Sequence, residues 1–411
     1  MKITRVEPIL MSCPLREPLR LPFWGGERTI LKRDAMLIRV TTDTGLRGYA
    51  PGPAHEVAAQ QIKDVIAPFL DGKDPQKWQD FRFEADESTQ KTYHAVEVAV
   101  LELLARHEGC PLSELVGGRK RDRIKLYGSA GMYQSPEAYA EEAAAIAAQG
   151  FSAYKMRPGS GPEADLRTVE LMRQAVGPGV ELMIDAHTWW RMGDRSYSRD
   201  TVRQLASDMR AHRPYWLEEP FTPEDHDAYR ALCSAGLLPI ASGEHEQRIE
   251  GFFDLIDTRA VDFVQMDVFC QGGLAMAKRI FERCGERGGR FAFHSWGTML
   301  EVLAAAHVGV CWSESIIEWL ECPVYSATGR AGMYDFDLSD AILRERLPIE
   351  QGQLIVPDGP GLGIDVDESV IEKYPFIPGP WSFFELTSPR ETIAVTGDHS
   401  VKWLSVDAGS P

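Results

Sequence analysis

Ionisable side chains recur at nearly constant intervals through the middle of the sequence. Successive leading members are 23 to 33 residues apart, about the length of one strand, one helix and their loops. Groups repeated at this spacing arrive at the same end of neighbouring parallel strands, where they can meet in one site. The set comprises Lys155 and Arg157, Asp185 and His187, Glu218 and Glu219, Glu244 and His245, Asp267, His294, and Glu321.

Three of these groups predict a metal site. Asp185, Glu218 and Glu244 end three consecutive strands, and carboxylates brought close together repel one another unless a cation lies among them. Anionic oxygen ligands suit a hard divalent ion, so we expect one Mg²⁺ per chain. The alternative is that all three are solvated loop carboxylates.

Asp267 and His294 end the next two strands and predict a catalytic pair. Adjacent strands lie about 4.8 Å apart, so the carboxylate can reach the imidazole, orient it and raise its basicity. The alternative is a structural histidine in an apolar run. His187 shares the face of Asp185 and is expected beside the metal. It can ligate the ion, but a neighbouring donor or a general acid is favoured because three carboxylates are already present.

Two cations end the strand "FSAYKM". Lys155 and Arg157 are two positions apart, so both point to the same face, where they can hold an anionic substrate. Salt bridges to the carboxylates are the alternative. Lys155 as a Schiff-base nucleophile, as in barrel aldolases, is a further alternative that the three carboxylates disfavour.

From residue 123 onward, strands and helices alternate and predict a barrel. Eight strands and seven helices in about 200 residues favour a closed TIM-type barrel with right-handed crossovers. A doubly wound open sheet is disfavoured because no Gly-x-Gly-x-x-Gly motif follows an early strand. The first helix, "SPEAYAEEAAAIAAQG", has Ser135 as its N-cap, Pro136 at its first position and Gly150 beyond its end.

The chain divides into three predicted regions. Residues 1–122 contain antiparallel strands, joined by the turn Asp43-Thr44-Gly45, and then amphipathic helices. Residues 123–345 form the barrel. Residues 346–411 form a C-terminal segment without clear periodicity, predicted to pack back on the N-terminal region, and its tail from about residue 386 has no assignment.

Composition and charge exclude several classes of partner. With 44 Lys and Arg against 61 Asp and Glu, the net charge of −17 argues against a nucleic-acid or anionic-membrane surface. We see neither a signal-peptide pattern nor an apolar run long enough for a transmembrane helix, so the protein is expected in the cytoplasm. The seven scattered cysteines are predicted to be reduced.

As an ordered set, the strand-end motifs resemble the enolase superfamily, and within it the mandelate racemase-like sugar-acid dehydratases. The resemblance covers roughly residues 1–375. It implies a modified (β/α)₇β barrel under an α+β capping domain built from the N-terminal part and a C-terminal segment. The matching motifs are "AVEVAVLELLARHEGCPLSELVGG", "YKMR", "IDAH", "WLEEP", "SGEH", "VQMDVFCQGG", "HSWGT", "EWLE" and "PDGPGLGIDV".

The resemblance also implies a reaction. Its shared step removes the proton α to a carboxylate, and a dehydratase then expels the β-hydroxyl to leave a 2-keto-3-deoxy acid. Asp267 with His294 would abstract the proton, and Glu321 would hydrogen-bond the resulting enediolate. Either His187 or Lys155 would act as the general acid. The implied Mg²⁺ ligands are Asp185, Glu218 and Glu244.

Position 157 departs from the racemases of this family, which carry Lys-x-Lys on the second strand and use the second lysine as a base. Arginine is a poor base because its pKa exceeds 12. His294 is then the one well-placed base, which favours dehydration of an aldonate or aldarate over racemisation. Arg157 is expected to hold the substrate carboxylate through a two-pronged contact.

Specificity in this family depends on loops of the capping domain. The segment "LRLPFWGGERTI" is the predicted lid, with Trp24 to exclude water and Arg20 or Arg28 to contact a distal carboxylate or hydroxyl. An ordinary glycine-bearing loop is the alternative. His245, beside a predicted metal ligand, is a further candidate for substrate binding.

Other functions on the same scaffold stay open at this point. An epimerase or a lactone cycloisomerase would start from the same enediolate, and a catalytically silent sugar-acid binder would need no base. The family resemblance also implies a homo-oligomer, from dimer to octamer.

Overall fold

An antiparallel sheet opens the chain. The computed structural model describes residues 1–23, 26–191, 196–326, 332–386 and 392–395. Gly45 ends the predicted turn with φ of 81°, a conformation that glycine adopts readily. The first strands are β1 (Ile3–Phe23), β2 (Gly26–Thr42) and β3 (Arg47–Gly52), paired in the order β1-β2-β3.

The predicted lid belongs to this sheet. Residues 19–23 pair with residues 26–30, so the segment around the lid is the outer part of the β1–β2 hairpin. Trp24, the residue expected to exclude water, and its neighbour Gly25 lie outside the described residues.

Helices follow the sheet, as the 3.6-residue periodicity predicted. The longest one begins at the N-cap Asp86 and ends at Gly109, whose φ of 69° stops it. It packs against β3, where Gly48 allows close approach. The elements are α1 (Glu56–Gln61), a π-helical turn (Ile62–Ile66), α2 (Ala67–Leu70), a 3₁₀ turn (Pro75–Asp80), α3 (Glu87–Glu108) and α4 (Leu112–Val116).

Eight parallel strands close into a barrel, because the last of them pairs with the first. The predicted barrel is therefore confirmed. The strands are β4 (Arg123–Met132), β5 (Ala153–Arg157), β6 (Glu181–Asp185), β7 (Trp216–Glu218), β8 (Ile240–Ser242), β9 (Phe263–Met266), β10 (Arg290–Phe293) and β11 (Ile317–Pro323).

In the residues that the structure describes, seven α-helices connect the barrel strands. The first begins as predicted, with the Ser135 side chain accepting a hydrogen bond from the N–H of Ala138. The helices are α5 (Pro136–Ala148), α6 (Pro162–Val176), α7 (Arg199–Met209), α8 (His226–Ser234), α9 (Ile249–Asp257), α10 (Gly273–Arg287) and α11 (Met299–Gly309).

The C-terminal segment touches both parts of the molecule. Strand β13 pairs antiparallel with the start of β4, and β14 then pairs with residues 26–30 of β2. The N–H of Ile377 also donates to Ser12 Oγ at 2.9 Å. The elements that follow the last barrel strand are α12 (Leu338–Ala341), β12 (Ile349–Glu350), β13 (Gln353–Ile355), α13 (Val370–Lys373), β14 (Ser382–Leu386) and β15 (Thr392–Val395).

The barrel interior is closed by one side chain from each strand. Four aromatic residues and one methionine are interspersed with three alanines, and together they fill the narrow space. All eight are at most 3% exposed. They are Tyr127, Ala153, Met183, Trp216, Ala241, Phe263, Ala292 and Trp319.

Two further facts bear on the sequence predictions. The seven cysteines are all free thiols. Within the described part of the chain, no helix is both long and apolar enough to cross a bilayer.

Candidate active site

The eight side chains that close the barrel, Tyr127 to Trp319, form an apolar plug. A polar layer lies directly above this plug. Side chains two positions later on a strand share the same face, so each plug residue is followed by one member of the layer at the carboxyl end of its strand. Its ionisable members are almost wholly buried, except His294. The layer comprises Ser129, Lys155, Asp185, Glu218, Gly243, Gln265, His294 and Glu321.

Gly243 interrupts the alternation on β8. Its φ is +130°, and a Cβ atom there would collide with the backbone oxygen of Gln265, so this position requires glycine. The change of backbone direction brings Glu244, one residue later, to the site. Its carboxylate lies 3.2 Å from His294 Nε2 and 3.8 Å from His187 Nδ1.

Lys155 lies at the centre of the buried acids. Its Nζ is 2.7 Å from Glu218 Oε1, 3.1 Å from Glu321 Oε1 and 3.6 Å from Asp185 Oδ2. Burial lowers the pKa of Lys155, but Glu218 and Glu321 outweigh that effect and raise it well above its ordinary value. The side chain is therefore a fixed positive charge.

Arg157 spans the site as a planar fork. Its Nε lies 3.1 Å from Asp185 Oδ2, while Nη1 donates to the carbonyl of Ala130 and Nη2 to Ser129 Oγ, both at 3.1 Å. The guanidinium carbon also lies 4.1 Å from the ring centroid of Trp296, a cation–π contact. These contacts leave Arg157 charged and rigidly held.

The two cations therefore make the salt bridges that were the alternative to substrate binding. Salt bridging and substrate binding are compatible roles. Lys155 and Arg157 can neutralise the buried acids and still contact an anion at the open side of the layer.

Two of the three predicted metal ligands, Asp185 and Glu244, lie together with His187, and the third, Glu218, lies outside this cluster. Asp185, His187 and Glu244 each offer a ligand atom within 4.8 Å of the others. Glu218 instead accepts hydrogen bonds from Lys155 at 2.7 Å and from Trp216 Nε1 at 3.0 Å.

The donor chemistry of this cluster fits a divalent cation. Asp185 Oδ2 and Glu244 Oε2 are buried acceptors that receive no hydrogen bond of good geometry from the described residues, although cationic side chains lie within ion-pair distance. Carboxylate oxygens concentrated in this way suit a hard metal ion.

Asp267 and His294 lie side by side, as their neighbouring strands predicted. His294 Nδ1 is 3.6 Å from Asp267 Oδ2, which is an ion-pair distance and longer than a hydrogen bond. Burial lowers the pKa of His294, but the charges of Glu244 and Asp267 outweigh burial and raise it to about 10.

Glu321 is tied to both the cations and the histidine strand. It accepts a hydrogen bond from the backbone N–H of Ser295 at 3.0 Å. Burial would raise the pKa of Glu321, but Lys155 and His294 outweigh burial and lower it to about 2. Glu321 is consequently a carboxylate with directed donors on both oxygens.

The two other histidines have buried carboxylate partners. His187 Nδ1 lies 2.6 Å from Asp185 Oδ1, and burial lowers the pKa of His187 to about 4 despite this contact. His245 Nδ1 lies 2.6 Å from Glu219 Oε2, while its Nε2 lies 2.7 Å from Arg191. With the arginine as donor to Nε2, the proton of a neutral His245 ring is on Nδ1 and points to Glu219.

The arginines of the predicted lid have different environments. Arg28 is buried, with its guanidinium carbon 4.4 Å from the ring centroid of Trp381 in the C-terminal segment. Arg20 is 73% exposed and lies 3.7 Å from Glu27. The structure therefore places Arg28, and not Arg20, in a buried position.

Comparisons with known proteins agree with this architecture. Residues 10–117 match the model of the mandelate racemase/muconate lactonizing enzyme N-terminal domain, and residues 138–370 match the enolase C-terminal domain-like model. The chain belongs to the enolase superfamily. The family predicted from the strand-end motifs is thus confirmed, and the chain is an enzyme of this superfamily.

Individual enolase superfamily relatives carry names for more than one reaction. D-galactarolactone cycloisomerase of Agrobacterium fabrum is 27% identical over 395 residues, covering 91% of this chain and 99% of that protein. D-gluconate dehydratase of Thermoproteus tenax is 27% identical over 370 residues, covering 83% and 69%. The crystal structure of 3,6-anhydro-D-galactonate cycloisomerase from Zobellia galactanivorans has a TM-score of 0.74 at 30% identity, covering 91% and 99%.

Sequence reasoning missed several polar residues of the site. Glu301, Arg191 and Trp296 lie outside the strand-end set, since they belong to a helix or to loops, where no periodicity identifies them. Gln265 was also missed, although it follows the plug residue Phe263 by two positions. The spacing used for Lys155 could have found it.

Proposed function

We propose that the protein dehydrates a sugar acid, an aldonate or aldarate, to a 2-keto-3-deoxy acid in a Mg²⁺-dependent reaction. The proposal rests on one observation. The site has one histidine base, His294, and the position where related racemases carry a second base is occupied by Arg157. A racemase of this type needs a second base, and Arg157 is held in the charged form by Asp185 and Glu321.

The proposed metal ligands are Asp185, Glu218 and Glu244, with His187 beside them. Their burial and carboxylate chemistry support the proposal, and Glu218 would have to exchange its hydrogen bond from Lys155 for the ion. Bound there, Mg²⁺ would compensate the acids and stabilise negative charge that develops on the substrate carboxylate.

His294 is the proposed base for the proton at C2. A histidine with a raised pKa is protonated at neutral pH, so the negative charge of Glu244 must be compensated before the ring can accept a proton. Asp267 then orients the imidazole from its other side. The electrons of the C2–H bond become the enediolate. Its oxygen would accept a hydrogen bond from the protonated Lys155, whereas Glu321, a carboxylate in the free site, would hydrogen-bond it only after gaining a proton.

Loss of water completes the proposed reaction. The enediolate re-forms its carboxylate as the C3–O bond breaks, the hydroxyl leaves with a proton from a general acid, and the resulting enol becomes the keto acid. His187 and Lys155 are both proposed for the acid. Lys155 carries a proton at neutral pH, whereas His187 would have to gain one.

Lys155 is poorly suited to the Schiff-base alternative. A nucleophilic lysine must lose its proton, and the acids around Lys155 oppose that loss. For the substrate, we propose contacts with Arg157, Arg28, His245 and Glu321, and with Trp24 and Arg20 from the lid. We further propose a cytoplasmic homo-oligomer that binds neither nucleic acid nor membranes.

A lactone cycloisomerase is the second candidate, and the names of two relatives favour it. Both reactions begin with the same proton, so they differ in the fate of the enediolate. Screening the Mg²⁺-loaded protein against aldonates, aldarates and their lactones separates them. A keto-acid assay detects dehydration, and NMR identifies ring-opened or epimerised products. Thermal stabilisation by an acid without turnover would instead identify a binder.

Replacement of the base tests the residue assignment. We expect His294→Asn to lower kcat by at least about 100-fold and to abolish solvent deuterium incorporation at C2. Mg²⁺ binding, measured by calorimetry, should persist. The control is His107→Asn, because His107 is exposed near the end of α3. Retained turnover or C2 exchange in His294→Asn would contradict the assignment.

A further inference from the structure

A buried glutamate outside the strand-end set organises the corner that follows β10. Glu301 lies in the first turn of α11 and is 8% exposed. Its Oε1 accepts hydrogen bonds from Ser295 Oγ at 2.7 Å and from the backbone N–H of Trp296 at 3.1 Å. A Cβ atom at Gly297 would collide with the same carboxyl group, so the corner backbone is packed directly against it.

Three residues of this corner serve the site, one directly and two through contacts with other side chains. His294 begins it, the backbone N–H of Ser295 donates to Glu321 at 3.0 Å, and the ring of Trp296 lies 4.1 Å from the guanidinium carbon of Arg157. The candidate base, the enediolate partner and the substrate cation therefore depend on the path of three consecutive residues.

We propose that Glu301 is a positioning residue for the reaction, which fixes the His294-Ser295-Trp296 corner through its bonds to Ser295 and Trp296. It thereby holds the base at its working position and aims the Ser295 N–H at Glu321. This inference rests on the proposed function for its kinetic consequence, but its structural consequence can be measured separately.

The protonation of Glu301 agrees with this role. Burial and the charge of Asp267 raise the pKa of Glu301 to about 8, against the opposing hydrogen bond from Ser295. A neutral carboxylic acid keeps one oxygen as an acceptor for both donors. The amide of glutamine has the same shape and the same acceptor, so it should replace this function.

The experiment compares three variants. Glu301→Ala removes the acceptor, and we expect kcat to fall at least about tenfold, with KM and Mg²⁺ affinity within threefold of wild type, because small displacements of catalytic groups cost rate rather than binding. Glu301→Gln should retain kcat within threefold. The control is Glu102→Ala, another buried glutamate that accepts from backbone N–H groups, which should lower the unfolding temperature and leave kcat unchanged.

A spectroscopic measurement covers the case in which the proposed substrate is wrong. The indole N–H resonance of Trp296, assigned with Trp296→Phe, should move in Glu301→Ala and stay in place in Glu301→Gln. Ser295→Ala removes one of the two donors and should produce a smaller change of the same kind if Glu301→Ala does not fold.

The outcomes are distinguishable. If the wild-type protein turns over no sugar acid but the Trp296 resonance moves in Glu301→Ala, the proposed function alone is refuted. An unmoved resonance with full kcat in Glu301→Ala would refute the positioning role. Equal losses in the glutamine and alanine variants would also refute it, because the acceptor geometry would then be irrelevant.

Discussion

Lys155→Met should destabilise the metal-free enzyme far more than the loss of an ordinary salt bridge. Methionine has nearly the same length as lysine but no charge. The substitution leaves Glu218, Glu321 and Asp185 buried without the cation that lies 2.7 to 3.6 Å from them. All three carboxylates are at most 1% exposed, so water cannot replace the ammonium group.

The size of the effect follows from these distances. At an effective dielectric constant of about 20, one charge pair near 3 Å is worth about 5 kcal/mol, but the cost of burying the lysine offsets much of the total. Removing one partner of a buried pair typically costs about 3–5 kcal/mol. With an unfolding entropy of about 2 cal/mol/K per residue, the chain of 411 residues should lose about 4–6 °C in Tm.

The assay is thermal unfolding in EDTA, followed by the same measurement with Mg²⁺. The ion should stabilise Lys155→Met more than wild type, because a bound cation takes over the compensation of the acids. Lys125→Met is the matched control. Lys125 also contacts two glutamates, at 2.6 and 2.9 Å, but its side chain is 33% exposed, so its loss should cost at most about 1 kcal/mol. Equal stability of the two variants in EDTA would refute the reasoning.

Two further predictions concern stability away from the site. Burial lowers the pKa of His307 to about 4, below its unfolded value of about 6.5. The contribution of His307 to the free energy of unfolding is therefore complete above pH 6.5. As the pH falls toward 4 the protein loses up to about 3 kcal/mol, because the unfolded chain takes up the proton first. Urea midpoints between pH 4 and 8 should therefore fall less steeply in His307→Gln, and an unchanged slope would contradict this. Gly48→Ala should cost about 1–3 kcal/mol in thermal unfolding, because its Cβ would collide with the backbone oxygen of Ala99, whereas Gly179→Ala, which faces open space, should be neutral.

The barrel could be predicted because its signals are local. Strand and helix periodicities, the Ser135 cap and the turn before β3 each depend on a few neighbouring residues. The strand-end acids were found for the same reason, since a period of two fixes which side chains share a face.

Which of the acids lie within reach of one another could not be predicted, because this depends on the backbone geometry at the ends of the strands. Glu218 and Glu219 are adjacent, and φ of +42° at Glu219 breaks the strict alternation of side chains expected along a strand. Lys155 then competes for Glu218, a contact across two strands that no spacing reveals. Glu301 was not predicted for a related reason. Its role depends on a tertiary contact with Ser295, in the corner that precedes its helix.

The pairing of β14 with β2 has a consequence for synthesis. Ile30 of β2 and its partner Ser382 of β14 are 352 positions apart, so at about 5–20 residues per second the ribosome needs about 20 to 70 s to deliver the second after the first. During that time β2 exposes an unpaired edge, which can join other chains. The barrel can close before the sheet beside its mouth is complete. A nascent chain that stops before residue 381 therefore has every proposed metal ligand but lacks Trp381 against Arg28. Such a chain would carry the residues of the proposed site without the contact that Trp381 makes with Arg28.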